Sequence, residues 1–179
     1  LFLFIANGVT TVRVMWGSPR YLMWRDAIAG GAALGPQLFV ASPGMDGPGG
    51  VFSALTPPIV SPQQARQAVA VYKALGFDFI KVYTDLTLEV YAAIVEEARA
   101  QDIKVVGHIP TRVGRRNVLA AGQYSVEHLF GFPEPAFSTG SMWTGVLDES
   151  RLEELAASIR EAGVWITPTL AVGLVLQDQ

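Results

Sequence analysis

With 179 residues, half of them hydrophobic, the chain is long enough to bury a substantial core as one domain. A net charge of −3 without a polybasic run argues against nucleic acid as a partner, and no apolar stretch reaches the roughly 20 residues that span a bilayer. The absence of cysteine excludes disulfides and thiolate metal sites.

The opening Leu1-Phe-Leu-Phe-Ile5 lacks the basic flank and cleavage site of a signal peptide. With no initiating Met, the chain is expected to begin within a longer protein, and its compartment is left open. Asn7-Gly8 leads into a β-branched strand over 9–15. Ser18-Pro19 supplies an N-cap and a proline for the first helical position, which predicts a helix to about Ala29. A strand over 37–41 precedes a Gly/Pro/Ser-rich connection from Ser42 to Val60. Ser61-Pro62 starts the next helix, running to Ala74 and closed at Gly76, where glycine accepts the left-handed conformation that ends a helix. A strand over 77–82 follows. Thr87 caps a helix from Leu88 to Ala100 whose Val90, Ile94, Val95 and Ala98 share one face while Glu96, Glu97 and Arg99 face water. Next come a strand over 103–107, a short helix within Val113 to Ala121, and a strand over 124–127. After a second long connection, Leu129 to Leu147, Asp148 caps a helix to Ala162, and Gly163 opens the last strand, 164–167.

Strict alternation of strands and helices, with no hairpin, predicts an α/β fold with a parallel sheet and right-handed crossovers. Both long connections follow strands, so both belong to the rim at the strands' C-terminal ends. Connections of that length are usually functional.

That same rim collects Lys81, His108 and His128, each at the end of one of three consecutive strands. Functional groups gather there in parallel α/β proteins, and two imidazoles beside a lysine suggest a metal site. A lone strand-end histidine is more often a hydrogen-bonded structural group. A desolvated lysine can instead form a Schiff base with a carbonyl substrate, although that leaves both histidines without a shared task. Tyr83 shares the inward face of Lys81, which suits either substrate contact or barrel packing. Arg112 follows His108 on the rim and is the candidate for a substrate carboxylate through its guanidinium fork, with Arg115 and Arg116 read as solvated helix charges. Glu127 should point away from His128 by strand alternation and is expected in a structural ion pair. Arg13 either sits beneath the site as a cation or, the better reading, braces the barrel through a buried ion pair. Trp16, Trp143 and Trp165 are aromatic enough to line a pocket, with core packing as the default.

Six segments, taken in order, carry a family likeness: Gly8-Val-Thr-Thr-Val-Arg13, Gly35-Pro-Gln37, Phe77-Asp-Phe-Ile-Lys-Val-Tyr83, Val105-Val-Gly-His-Ile-Pro110, Ala121-Gly-Gln-Tyr-Ser-Val-Glu-His128 and Val164-Trp-Ile-Thr-Pro-Thr-Leu170. Together they resemble the amidohydrolase superfamily, in its imidazolonepropionase-like and Xaa-Pro dipeptidase-like branch. The resemblance implies a (β/α)8 TIM barrel hydrolase with one or two divalent metal ions, zinc being the expected ion. It places a carbamate, formed from carbon dioxide, on Lys81 at the end of the fourth barrel strand, where it bridges the metals. His108 and His128, ending the fifth and sixth strands, then bind the second metal. The carbamate offers an anionic oxygen pair where a free lysine is an ammonium. The implied reaction is hydrolysis of a C–N bond in an amide, peptide or cyclic amide by metal-activated water, on a small-molecule or dipeptide-like substrate.

Two features of that family have no counterpart here. The first-strand His-x-His pair is absent, and so is the eighth-strand aspartate that serves as general base, because Asp178 follows the seventh strand too closely. Residues 1–179 therefore read as a single catalytic-barrel segment, strands two to seven, with no catalytic base of its own. Such a segment is expected to be inactive in isolation, and its two bare strand edges invite association into a homo-oligomer. Two alternatives stay open: a non-enzymatic α/β module that binds a small molecule, and a Schiff-base lyase using Lys81.

Overall fold

Side-chain caps start several of the helices, as the residues require. Elements are numbered here in chain order, in a computed structural model that describes residues 1–50, 56–129, 131, 137–139 and 146–169. Trp143 and Asp178 lie outside the described residues, as do parts of both long connections. A five-residue helix, α1 (Phe2–Ala6), precedes Asn7-Gly8. Helices α2 (Pro19–Ala29) and α3 (Pro62–Ala74) both begin with proline, and the Ser61 hydroxyl accepts the Gln64 N–H at 3.2 Å. The Thr87 hydroxyl accepts the Val90 N–H at 3.3 Å to open α4 (Leu88–Ala100). Helix α5 (Gly114–Ala120) is short, and Asp148 caps α6 (Glu149–Ala162), which ends on Gly163 in the left-handed conformation.

The strands are β1 (Thr11–Val14), β2 (Gln37–Val40), β3 (Phe79–Val82), β4 (Lys104–Gly107), β5 (Ser125–Glu127), β6 (Phe137–Thr139), β7 (Val146–Leu147) and β8 (Trp165–Thr167). β1 pairs with β2, and β3, β4, β5 and β8 pair in that order, all parallel. Parallel bridges Ala41 to Phe79 and Met45 to Val82 join the two sets into one six-stranded arc. β6 and β7 form an antiparallel pair inside the second long connection, contrary to the expectation of no hairpin. A connection of nearly 20 residues is long enough to fold back on itself, and β-prone residues stand at both of its paired ends.

The arc curls. Arg13 on β1 reaches Ser125 and Glu127 on β5 and Thr167 on β8, so side chains from the first and last strands meet across the interior. Six parallel strands alternating with helices and curved in this way make a partial (β/α)8 barrel. The main core lies outside the arc, where Ile80, Val82, Val105 and Val126 pack under Val69 of α3 and Val90 and Ile94 of α4. Each such side chain contributes roughly 1.5–3 kcal/mol by leaving water, which holds the strands in register and so fixes what their ends present. Gln123 is buried within this layer. It accepts the Tyr91 hydroxyl at 3.0 Å and donates to the carbonyls of Ser125, Gly107 and His108, tying the end of β4 to β5. Among the described residues no helix is long and apolar enough to cross a membrane.

Candidate active site

Register brings the predicted residues together. Lys81 lies level with Val106, and Val106 with Ser125, so His108, two residues beyond Val106, falls on the same inner face one step higher. Glu127 occupies the equivalent inner position on β5 and receives Arg13 Nη2 and the Ser125 hydroxyl at 3.0 and 2.6 Å. The ion pair expected of both residues is therefore present. Its direction differs from the simple alternation, which turned Glu127 away from His128. Glu127 takes the inner face, and His128 joins it because its backbone adopts φ 67°, which breaks the alternation. The two imidazole centroids are 5.0 Å apart and nearly perpendicular. The Tyr83 ring lies 4.1 Å from that of His108, Lys81 Nζ is 5.9 Å from the Tyr83 centroid, and Trp16 meets Tyr83 edge-on at 5.4 Å. Trp16 and Tyr83 thus wall one side of the site. Trp165 instead lines a cavity of about 750 Å³ at the N-terminal end of the arc with Phe79, Tyr124 and Arg13.

Burial sets the protonation of these groups. Lys81 is 3% exposed, and desolvation, opposed by the Glu127 carboxylate and reinforced by Arg13, brings its ammonium down to about 8. His108 is 5% exposed. Burial first, then the positive charges of Lys81 and His128, push its imidazole down to about 3. His128 is lowered by burial and by Lys81, against the pull of Glu127.

A pH dependence follows. The unfolded chain protonates His108 near 6.5 and the folded chain only near 3. Stability from the neutral imidazole is complete above pH 6.5 and is lost as the pH falls toward 3, with about 2 kcal/mol gone by pH 5. For Lys81 the burial penalty is full below about pH 8 and is relieved as the pH rises toward 10.5. Urea unfolding of the metal-free chain at pH 5 and pH 7 should show the acid loss, and His108→Gln should remove most of the His108 share. An identical acid loss in that variant would refute the assignment.

Two rim residues escaped the sequence reading. Asp46, in the undecoded Ser42 to Val60 connection, is 2% exposed, and its Oδ1 accepts the N–H groups of Gly47 at 2.9 Å and Asp85 at 2.6 Å. Burial raises its pKa despite those bonds, and burial, followed by the charge of Asp46, raises that of Tyr83. It fastens the β2 loop to the β3 loop, and Asp85 answers by accepting the Gly49 N–H at 2.7 Å. Arg112 Nη2 meets the same Asp85 at 3.3 Å, with its side chain 59% exposed at the rim. The other residue is Thr169, whose hydroxyl touches His128 Nδ1. The alternation of Trp165, Thr167 and Thr169 was the available signal for it.

Among the described residues no three of His, Asp and Glu converge to hold a metal. The third donor of the expected set is Lys81, which becomes an oxygen ligand only as a carbamate. The surroundings fit that role. Both imidazoles are held toward their neutral, ligating form, and the lysine is held near enough to neutrality to supply free amine.

Neither a protein-family model nor a curated relative matches the sequence. Solved structures do. A bottromycin amidohydrolase is 30% identical over 93% of this chain, with a TM-score of 0.74. Over nearly its whole length the chain is similar to part of an amidohydrolase. An Xaa-Pro dipeptidase with methionine bound in its active site (21% identity, 99% of this chain, TM-score 0.74) and the A. niger ochratoxinase (19%, 98%, 0.70) share its fold. It spans 37%, 46% and 45% of the lengths of those three structures. The solved structures that match include amidohydrolases and a prolidase.

Proposed function

We propose that this chain carries the ligand-bearing, electrophilic part of a metal-dependent hydrolase site that cleaves a C–N bond in an amide, peptide or cyclic amide. The observation that carries the reading is the meeting of His108, His128 and a lysine brought down to about 8 at the ends of three consecutive parallel strands. Lys81 as its carbamate, with His108 and His128, would hold a divalent ion, for which zinc suits the donor set. When bound, that ion supplies polarisation of the scissile carbonyl and a water of lowered pKa. The protein's own part is preparation. At pH 7 about a tenth of Lys81 is free amine, far more than for an exposed lysine. That amine attacks carbon dioxide and releases a proton, giving an anion where the unmodified side chain would repel the ion. Burial keeps both imidazoles from competing for that proton.

Tyr83 and Trp16 shape the substrate side. Tyr83, which stands against His108, is the proposed substrate contact, and Arg112, exposed at the rim beside Asp85, is the proposed partner of a substrate carboxylate. The choice of a small-molecule or dipeptide-like substrate rests on likeness to an amidohydrolase and an Xaa-Pro dipeptidase. No catalytic base is assigned among the described residues.

The lowered Lys81 amine also suits imine formation, so the test must separate two chemistries. Elemental mass spectrometry of the freshly purified chain should find about one equivalent of zinc or a similar ion, lost in a His108→Ala, His128→Ala double variant. Metal at background in both proteins, with borohydride trapping of a carbonyl compound on Lys81, would replace the hydrolase reading by the lyase.

A further inference from the structure

His128 and Thr169 are two of only three described non-glycine residues with positive φ, at 67° and 46°. The left-handed region is unusual for any side chain and a marked outlier for a β-branched one such as threonine. Strain of this kind persists only where the surroundings impose it, and it gathers at functional positions. These two residues stand 41 apart in the chain, one just past β5 and the other just past β8, and they face each other. The His128 N–H donates to the Thr167 carbonyl at 2.7 Å, and His128 Nδ1 lies 2.5 Å from the Thr169 hydroxyl oxygen. The strained backbones bring the hydroxyl onto one particular ring nitrogen.

A neutral imidazole carries one N–H and one lone pair, and the hydrogen bond made at one nitrogen decides what the other can do. If the hydroxyl accepts from Nδ1–H, the lone pair is on Nε2. If the hydroxyl donates, Nε2 carries the proton and cannot ligate. We propose that Thr169 is a positioning residue that accepts the Nδ1 proton of His128, selects the tautomer with its lone pair on Nε2, and thereby commits Nε2 to the metal. The contact between Nδ1 and the hydroxyl stands on the geometry, and the direction of the proton within it is what the proposal assigns. The metal half of the statement rests on the function proposed above.

The chain has only two histidines, which makes the tautomer directly readable. Long-range proton–nitrogen spectra of the imidazoles in the metal-free chain, with His108→Gln to assign the signals, should show His128 protonated at Nδ1. Thr169→Val keeps the β-branched shape and removes the acceptor. It should shift His128 toward protonation at Nε2, whereas Thr169→Ser should retain the wild-type pattern. Unchanged far-UV circular dichroism in both variants confirms that they fold. In zinc competition against a chromophoric chelator, Thr169→Val should bind about 10- to 100-fold more weakly, and Thr169→Ser close to wild type. A wild-type His128 protonated at Nε2, or a tautomer indifferent to Thr169→Val, overturns the proposal. A shifted tautomer with unchanged zinc affinity overturns its metal half. A Thr169-dependent tautomer in a wild-type chain that binds no zinc supports the positioning role and sinks the hydrolase reading instead.

Discussion

Gly107→Ala should destabilise the chain by about 4 kcal/mol or more, at the upper end of what single substitutions do. Gly107 ends β4 with φ 132°, a conformation L side chains rarely adopt, and a β-carbon there would lie 2.1 Å from the Val82 carbonyl oxygen and 3.0 Å from the Val82 nitrogen. Both obstacles are backbone atoms of the neighbouring strand, so no rotamer change relieves them. That carbonyl also accepts the His108 N–H at 3.1 Å. Pushing it aside would part β3 from β4 just where Lys81 and His108 are set against each other. Gly122 supplies the control, with φ 66° and no atom within 4 Å of where a β-carbon would stand. Gly122→Ala therefore incurs only the left-handed backbone cost of about 1–2 kcal/mol. Urea unfolding followed by circular dichroism compares the two. Equal losses would mean that the close approach to Val82 is not what the glycine serves.

Arg13→Met should cost about 3 kcal/mol, the penalty for leaving a buried carboxylate without its cation. The Glu127 side chain is 4% exposed and that of Arg13 32%, so the carboxylate bears most of the loss. Among the described residues, the Ser125 hydroxyl, at 2.6 Å, remains as its hydrogen-bond donor. Adding Glu127→Gln should recover much of the loss, because a neutral amide in the same place does not need the guanidinium. The coupling between the two sites is measured by the double-variant cycle. The pair also reaches the candidate site. Arg13 lowers the Lys81 pKa and Glu127 raises it, so Arg13→Met should move the amine above about 8 and Glu127→Gln below it. Isotope-labelled reductive methylation of Lys81, followed through pH by NMR, gives the sign of each shift. Additive stability losses, or a Lys81 titration unmoved by either change, would show that the pair does no more than fill space.

Much of this fold is written in interactions within four residues of chain. Thr87, Ser61 and Asp148 each announce a helix start because the capping oxygen and the N–H it satisfies are two or three positions apart. The strand runs ending at Lys81, Gly107 and Glu127 are legible because β-branched and aromatic residues cluster between glycine turns. Placing Lys81, His108 and His128 on one rim needs only that order, plus the rule that parallel strands end on the same side. The same residues did not reveal the direction of Glu127, since strict alternation fails at His128 and a positive φ outside glycine leaves no mark in composition. Nor could they reveal that Asp46 fastens two loops, that Arg112 meets Asp85, or that Thr169 reaches His128. Those partners lie between 27 and 41 positions apart, and the Arg13–Glu127 pair is separated by 114. The sequence by itself determined the α/β alternation, the capped helices and the rim that holds the candidate ligands. The tertiary structure alone decided their charge states and their supporting contacts, because desolvation and long-range hydrogen bonding depend on how tightly the arc curls.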